Sequence, residues 1–139
     1  MTDQQHQVTS KIVPHAERVV TAARLFGHHF SVRLEPAIFS IAKAVAEDYT
    51  GGYWQFYVLS NGGFFMSPEP ARPYGMHSPN GFAGTLSAEA LGVTACLFAY
   101  SWRSFPASAF SDTCAEHYHL LRAFALDHAE AAAILAACD

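Results

Sequence analysis

The sequence predicts an α+β fold: a single compact domain in which a small antiparallel β-meander of three to four strands packs with four to five helices. Three observations carry this. The chain has 139 residues, the size of one domain that buries roughly two thirds of its unfolded surface. Apolar residues recur at helical spacing in the first third and again from residue 88 onward. Between them, residues 48–86 change to alternation broken by two Gly-Gly pairs, two Asn-Gly steps and a run of prolines. The hydrophobic fraction is 51% and only 14% of residues are charged, below the usual ~25%, so the chain has the composition of a packed globule.

The elements follow in order. Residues 1–10 are polar, without the apolar centre of a signal peptide, and are expected to fray, leaving 11–139 as the domain. Pro14 sits near the start of a first helix that Gly27 ends, with Ala16, Val19, Val20, Ala23 and Phe26 as its apolar stripe and Arg18 on the opposite side. Glu35-Pro36 opens a second helix, because proline's fixed φ suits the first turn; Ile38, Ile41, Val45 and Tyr49 form its buried face. From Tyr53 to Leu59, Trp54, Phe56 and Val58 point one way and Tyr53, Gln55 and Tyr57 the other. Asn61-Gly62 suits a type I′ turn, closing a hairpin onto residues 64–67. Shorter strands near 74–77 and 82–86, turned at Pro79-Asn80-Gly81, complete the meander.

Ser87 is an N-cap for a third helix to about Arg103, apolar almost all round (Leu91, Val93, Leu97, Phe98, Trp102) and therefore central. After Pro106, a helix from about Asp112 buries Cys114, Tyr118, Leu121 and Phe124. Asp127 with Glu130 forms a capping-box-like start for a last, alanine-rich helix.

Composition removes several function classes. The longest apolar stretch, near Ala88 to Trp102, is too short to span a bilayer. Eight basic residues lie singly, so strong DNA binding is not expected. Twelve acidic residues are equally dispersed and the net charge is −4. A duplex as long as such a domain carries about 20 negative charges, so imitation of DNA by charge is not expected either. Cys96, Cys114 and Cys138 are an odd number with no close pair, the pattern of free thiols in a reducing cytoplasm.

No metal or cofactor is called for by the motifs. Adjacent His28 and His29 point apart on any regular element, and His117 and His119 lie ~200° apart on a helix. His-Glu-x-x-His, Cys-x-x-Cys and Gly-x-Ser-x-Gly are absent, and neither glycine pair is followed by Lys-Ser/Thr. A histidine-dependent enzyme would have to bring His117, His119 or His128 together with a carboxylate in a pocket. A weak single-stranded nucleic-acid binder would stack bases on Tyr53, Trp54 and Tyr57. Trp54 itself reads either as a core ring or as an interface anchor, since tryptophan and arginine dominate interface energetics. Arg18 and Glu35 read either as a surface ion pair and a helix-start acid or as contact residues.

Tyr49-x-Gly51-Gly52-Tyr53-Trp54-x-Phe56-Tyr57-x-Leu59-Ser60-Asn61-Gly62-Gly63-Phe64-x-Met66-x-Pro68 resembles the signature of the ArdB/KlcA antirestriction family. The segments Asn80-Gly81-Phe82-x-Gly84-x-Leu86-Ser87-x-Glu89-Ala90-x-Gly92 and Tyr118-His119-x-Leu121-Arg122-x-Phe124-Ala125 are similar to it too, as are Val13-Pro14, Arg18 and Phe26-Gly27. Ala129 departs from it, where the family carries proline. The resemblance implies a small, non-enzymatic cytoplasmic protein of plasmids and other mobile elements, without cofactor, that protects incoming DNA from type I restriction. Its implied partner is the type I restriction complex or an associated host protein. It also implies that Trp54, Arg18 and Glu35, with Tyr53 and Asn61 on the presenting hairpin, are the contact residues.

Overall fold

The computed structural model describes residues 7–104 and 108–139. The antiparallel part divides into two sheets rather than one meander. Strands β1 (Ser10–Ile12), β2 (Trp54–Leu59) and β3 (Phe64–Pro68) form the first, in that order. Strands β4 (Tyr74–His77) and β5 (Ala83–Leu86) form a separate hairpin. Among the described residues the α-helices are α1 (Arg18–Phe26), α2 (Glu35–Val45), α3 (Ala88–Arg103), α4 (Ala109–Leu126) and α5 (Ala131–Cys138). The fold is α+β, as the sequence predicts.

Strand β1 is the element the sequence does not announce. Ser10 pairs with Leu59 and Ile12 with Tyr57, while Val13 N–H donates to the Phe56 carbonyl. Thr9 and Ser60 exchange backbone and hydroxyl hydrogen bonds just beyond. The expected frayed end therefore stops short of Thr9 and Ser10, and residues 1–6 lie outside the described residues. All three β1 side chains are exposed, so no alternation marks the strand; its backbone pairing alone holds it.

Both hairpins turn in the same way, and not through type I′. Asn61 has a negative φ, whereas Gly62 sits at +93°. Gly62 N–H donates to the Leu59 carbonyl and Leu59 N–H to the Gly63 carbonyl. That is a three-residue loop, a type I turn followed by a glycine bulge. Ser78, Gly81 (φ +95°) and Phe82 repeat the pattern around Pro79-Asn80-Gly81. In each loop the asparagine carboxamide accepts from the backbone two residues on and donates to a helix: Asn61 to the Leu120 carbonyl of α4, Asn80 to the Ala136 carbonyl of α5.

Helix α3 runs through the centre, with eleven of its residues buried. It covers the free edge of β3. The β2–β3 register sends the Phe64 and Met66 carbonyls away from β2. Tyr100 Oη donates to the first at 2.7 Å and Cys96 Sγ reaches the second at 3.9 Å. One turn earlier the same stripe carries Gly92, where a Cβ would lie 2.7 Å from Ser67 Cα and closer still to the Met66 carbonyl oxygen. Gly92, Cys96 and Tyr100 thus form an i, i+4, i+8 row on which an edge strand is buried without a partner strand.

Three helix expectations need correction. Trp102, expected in the core, is 57% exposed at the end of α3. Helix α4 begins at Ala109, capped by Ser108, and buries His117 where Tyr118 was expected; Pro106 lies outside the described residues. Asp127 ends α4 rather than capping α5, and the Glu130 carboxylate instead accepts from the Ser87 N–H and hydroxyl, joining the starts of α5 and α3.

Candidate functional site: an arginine cleft between α1, α2 and β2

Helix α1 is rotated from the phase its valines suggest. Val19 is 81% and Val20 70% exposed, while Thr21, Ala22 and Phe26 face the core. Arg18, one turn before Ala22, therefore points inward. Its guanidinium lies 4.0 Å from the Phe56 ring centroid and 4.5 Å from that of Tyr53. The Tyr53 hydroxyl is itself fixed against His15 Nδ1 at 2.9 Å. Stacking on two rings holds the planar fork in one orientation, which an ammonium on a flexible stem would not reproduce.

Arg18 forms one wall of an open cleft of about 380 Å³. Val19 and Ala22 of α1, Phe30, Phe56 of β2 and Glu35 complete most of its lining. Glu35 does not stand at a free helix end, contrary to expectation. Residues Phe30–Leu34 form a π-helical turn continuous with α2, and the Glu35 N–H is already bonded to the Phe30 carbonyl. The acid is thus not a cap. Burial pushes its carboxyl above the ordinary 4.5, and the Arg18 charge only partly opposes that. Arg18 and Glu35 form no salt bridge, and Arg18 Nη1 is buried without a hydrogen-bond acceptor among the described residues.

The other expected contact residues fall elsewhere. Trp54 is 2% exposed; its indole N–H donates to Tyr49 Oη at 2.8 Å and its ring meets Phe39 and Tyr49 edge-on. It is a core residue beneath the cleft's strand. Asn61 is spent on the turn and on α4, as described above. Tyr53 alone joins Arg18 and Glu35, at the rim and 42% exposed. Tyr57 stacks on Phe65 at 4.6 Å, so Tyr53, Trp54 and Tyr57 offer no common platform for bases.

The histidines do not converge either. His117 is enclosed by Phe26 and Tyr100, with its pKa lowered by burial, and His119 is exposed. His128 bonds the Glu89 carboxylate at 2.7 Å, which raises its pKa. Among the described residues no three His, Cys, Asp or Glu side chains are grouped to hold a metal ion, and no helix is long and apolar enough to cross a membrane. Cys96, Cys114 and Cys138 are unpaired, and burial pushes their thiols up to about 12, 11 and 12, so none is poised as a nucleophile. The cleft itself, and Phe56 and Phe30 within it, were not legible beforehand: each is an ordinary core aromatic by spacing.

Residues 47–139 match the family model described as antirestriction protein. An antirestriction protein KlcA of Escherichia coli is 37% identical over the full length of both chains. A second Escherichia coli KlcA is 43% identical, covering 96% of this chain and 97% of its own. The protein YafX of Escherichia coli K12, of uncharacterised function, is 39% identical across 96% of this chain and 89% of its own. Among solved structures, one from a study of the KlcA and ArdB proteins superposes with a TM-score of 0.88 at 38% identity, over 95% of each chain. That study describes a novel fold and antirestriction activity against type I DNA restriction systems in vivo but not in vitro. Arg18 and Glu35 precede the segment matched by the family model but lie within the full-length alignment to KlcA. By sequence along its whole length and by fold, this chain belongs to the antirestriction protein family of KlcA and ArdB.

Proposed function

We propose that this protein relieves type I restriction of incoming plasmid or mobile-element DNA inside the cell, and does so through protein contact at the Arg18–Glu35 cleft. The observation that carries the placement is a rigidly stacked arginine with an unmet donor in an open, largely apolar cleft. Buried donors without acceptors are costly, so such a group is suited to a partner that supplies one. The exposed Val19 on the cleft wall provides apolar surface beside it. A net charge of −4 argues against impersonating a duplex, and the dispersed basic residues argue against gripping one. The route is non-enzymatic, and the three unpaired thiols suit a cytoplasmic setting. The contacted protein is the restriction complex or a host component acting on it; the KlcA/ArdB activity seen in vivo but not in vitro favours the host component.

The test is transfer of unmodified DNA into a restricting host. Wild-type protein is expected to restore recovery, and Arg18→Met, which keeps the aliphatic stem over the rings, to lose that protection at an unchanged thermal midpoint. Equal DNA loss with and without the wild-type protein would overturn the function. Full protection by Arg18→Met would overturn its placement in the cleft.

A further inference from the structure

We infer that the cleft recognises a carboxylate borne by an apolar stretch of polypeptide, with Arg18 as the group that receives it. This deepens the functional reading above, and rests on it only for biological purpose. Four features define the ligand's chemistry. Arg18 Nη1 is buried without an acceptor among the described residues, so it is suited to one that a partner supplies. The guanidinium is stacked against two rings and lines the cleft, and its planar fork matches the two-pronged geometry of a carboxylate. Val19, Ala22, Phe30 and Phe56 give the remaining walls apolar surface that matches aliphatic side chains next to the acid, with His28 and Ser31 as further polar groups at the lining. At about 380 Å³ the space lies at the small end of the ~300–1,000 Å³ range of ligand pockets, enough for a few side chains rather than a folded surface.

Alternatives fit less well. A nucleic-acid backbone calls for several cations along its track, whereas among the described residues Arg18 is the one lysine or arginine lining this cleft, with His28 beside it. An uncharged amide would satisfy the donor but leave the Arg18 charge without a counter-charge, because Glu35 stays beyond ion-pair distance. Glu35 has the opposite effect to that of a simple partner. It carries a second negative charge into the cleft, and its burial makes it readily protonated. An incoming carboxylate therefore favours protonation of Glu35, and binding takes up a proton. Glu35 acts on the ligand through charge and through this proton, and its loss is expected to tighten binding.

The experiment follows the Arg18 side-chain and Ala22 and Ala23 amide resonances in the whole protein while short peptides are added. Acetyl-Leu-Glu-Leu-amide presents a side-chain acid, acetyl-Leu-Leu a chain-end acid, acetyl-Leu-Gln-Leu-amide neither, and inorganic phosphate an anion without apolar neighbours. Saturable shifts with either acid peptide, and weaker or none with the glutamine peptide and phosphate, are expected; the acid that binds identifies the source. Glu35→Gln should bind about threefold or more tightly at pH 8, where its charge no longer opposes the incoming acid. Arg18→Lys, folded as judged by its backbone spectrum, should lose at least tenfold. Equal binding of the glutamine peptide, binding of phosphate alone, or no saturable shift overturns the inference. If no acid peptide binds yet Arg18→Met still loses protection in the transfer assay, this ligand assignment fails while the proposed function stands. If the acid peptides bind and Arg18→Met protects fully, the reverse holds.

Discussion

At the scale of single residues, Trp54 shows that residue type alone does not place a side chain at a surface. Tryptophan is the commonest interface anchor, yet Trp54 lies in the core with its indole N–H satisfied by Tyr49. Trp54→Phe removes that hydrogen bond, leaves the Tyr49 hydroxyl short of a partner and opens space beside Phe39. A loss of about 1–3 kcal/mol is expected in urea unfolding, with antirestriction falling only as the folded fraction falls. Full stability with abolished protection would contradict this. Glu35 behaves in the opposite sense. Its carboxyl is raised above the ordinary 4.5 mainly by burial, so the ionised form costs the native state stability above that pH. Glu35→Gln is expected to raise the thermal midpoint at pH 7.5, with the gain disappearing below about pH 4.5, where the acid is neutral in both states.

At the scale of elements, local chemistry was readable and phase was not. Asn-Gly announced both hairpins, but the loops use three residues, because Asn61 and Asn80 keep negative φ and turn their carboxamides inward onto helices. Nothing in a dipeptide says which helix will stand behind it. Asn61→Ala leaves the Leu120 carbonyl and Gly63 N–H without these partners, and an expected cost of about 1–2 kcal/mol is checked by denaturant unfolding. Gly92 tests the opposite intuition. Helix propensity favours alanine over a mid-helix glycine by about 1 kcal/mol. Here the added methyl would meet β3's backbone, which cannot rotate away as a side chain can. Gly92→Ala should therefore destabilise by about 1–3 kcal/mol or more, and a raised thermal midpoint would show that α3 does not bear on the strand. The α1 face misled for a related reason. Val19 and Val20 form the more hydrophobic stripe, yet Ala22, Phe26 and Arg18 face inward, because an arginine stem packs on rings as a hydrocarbon does while its head stays polar. Hence the family signature could name Arg18 and Glu35, but their meeting in one cleft needed the fold.

At the scale of the whole molecule, composition bounded the function and the family named it, while the buried titratable groups set how the fold responds to acid. Three of these groups act in different directions. His117 is held neutral between Phe26 and Tyr100, with its pKa lowered by burial and its Nδ1 unpartnered. Below about pH 6.5 the unfolded chain protonates this histidine before the native chain does, so its contribution to stability is lost as pH falls. His128 is raised by the Glu89 carboxylate, so its contribution is present at low pH and fades as pH rises; the Glu130 N–H donated to Nδ1 requires a neutral ring there and limits the effect. Glu35, also raised, likewise gains stability for the native state on acidification, in the range just above 4.5. Of these three, His117 loses stability on acidification, and His29, whose pKa desolvation also lowers, acts in the same sense. His117→Phe fills the same aromatic box without a titratable nitrogen. Its urea midpoint is expected to decline less than wild type between pH 7.5 and 5.5, because one of the two histidines with lowered pKa among the described residues is then gone and His128 is opposed by His29 alone. Parallel declines in the two proteins would mean that the buried ring takes up its proton in the folded state as readily as in water, and that the acid response of this fold lies elsewhere.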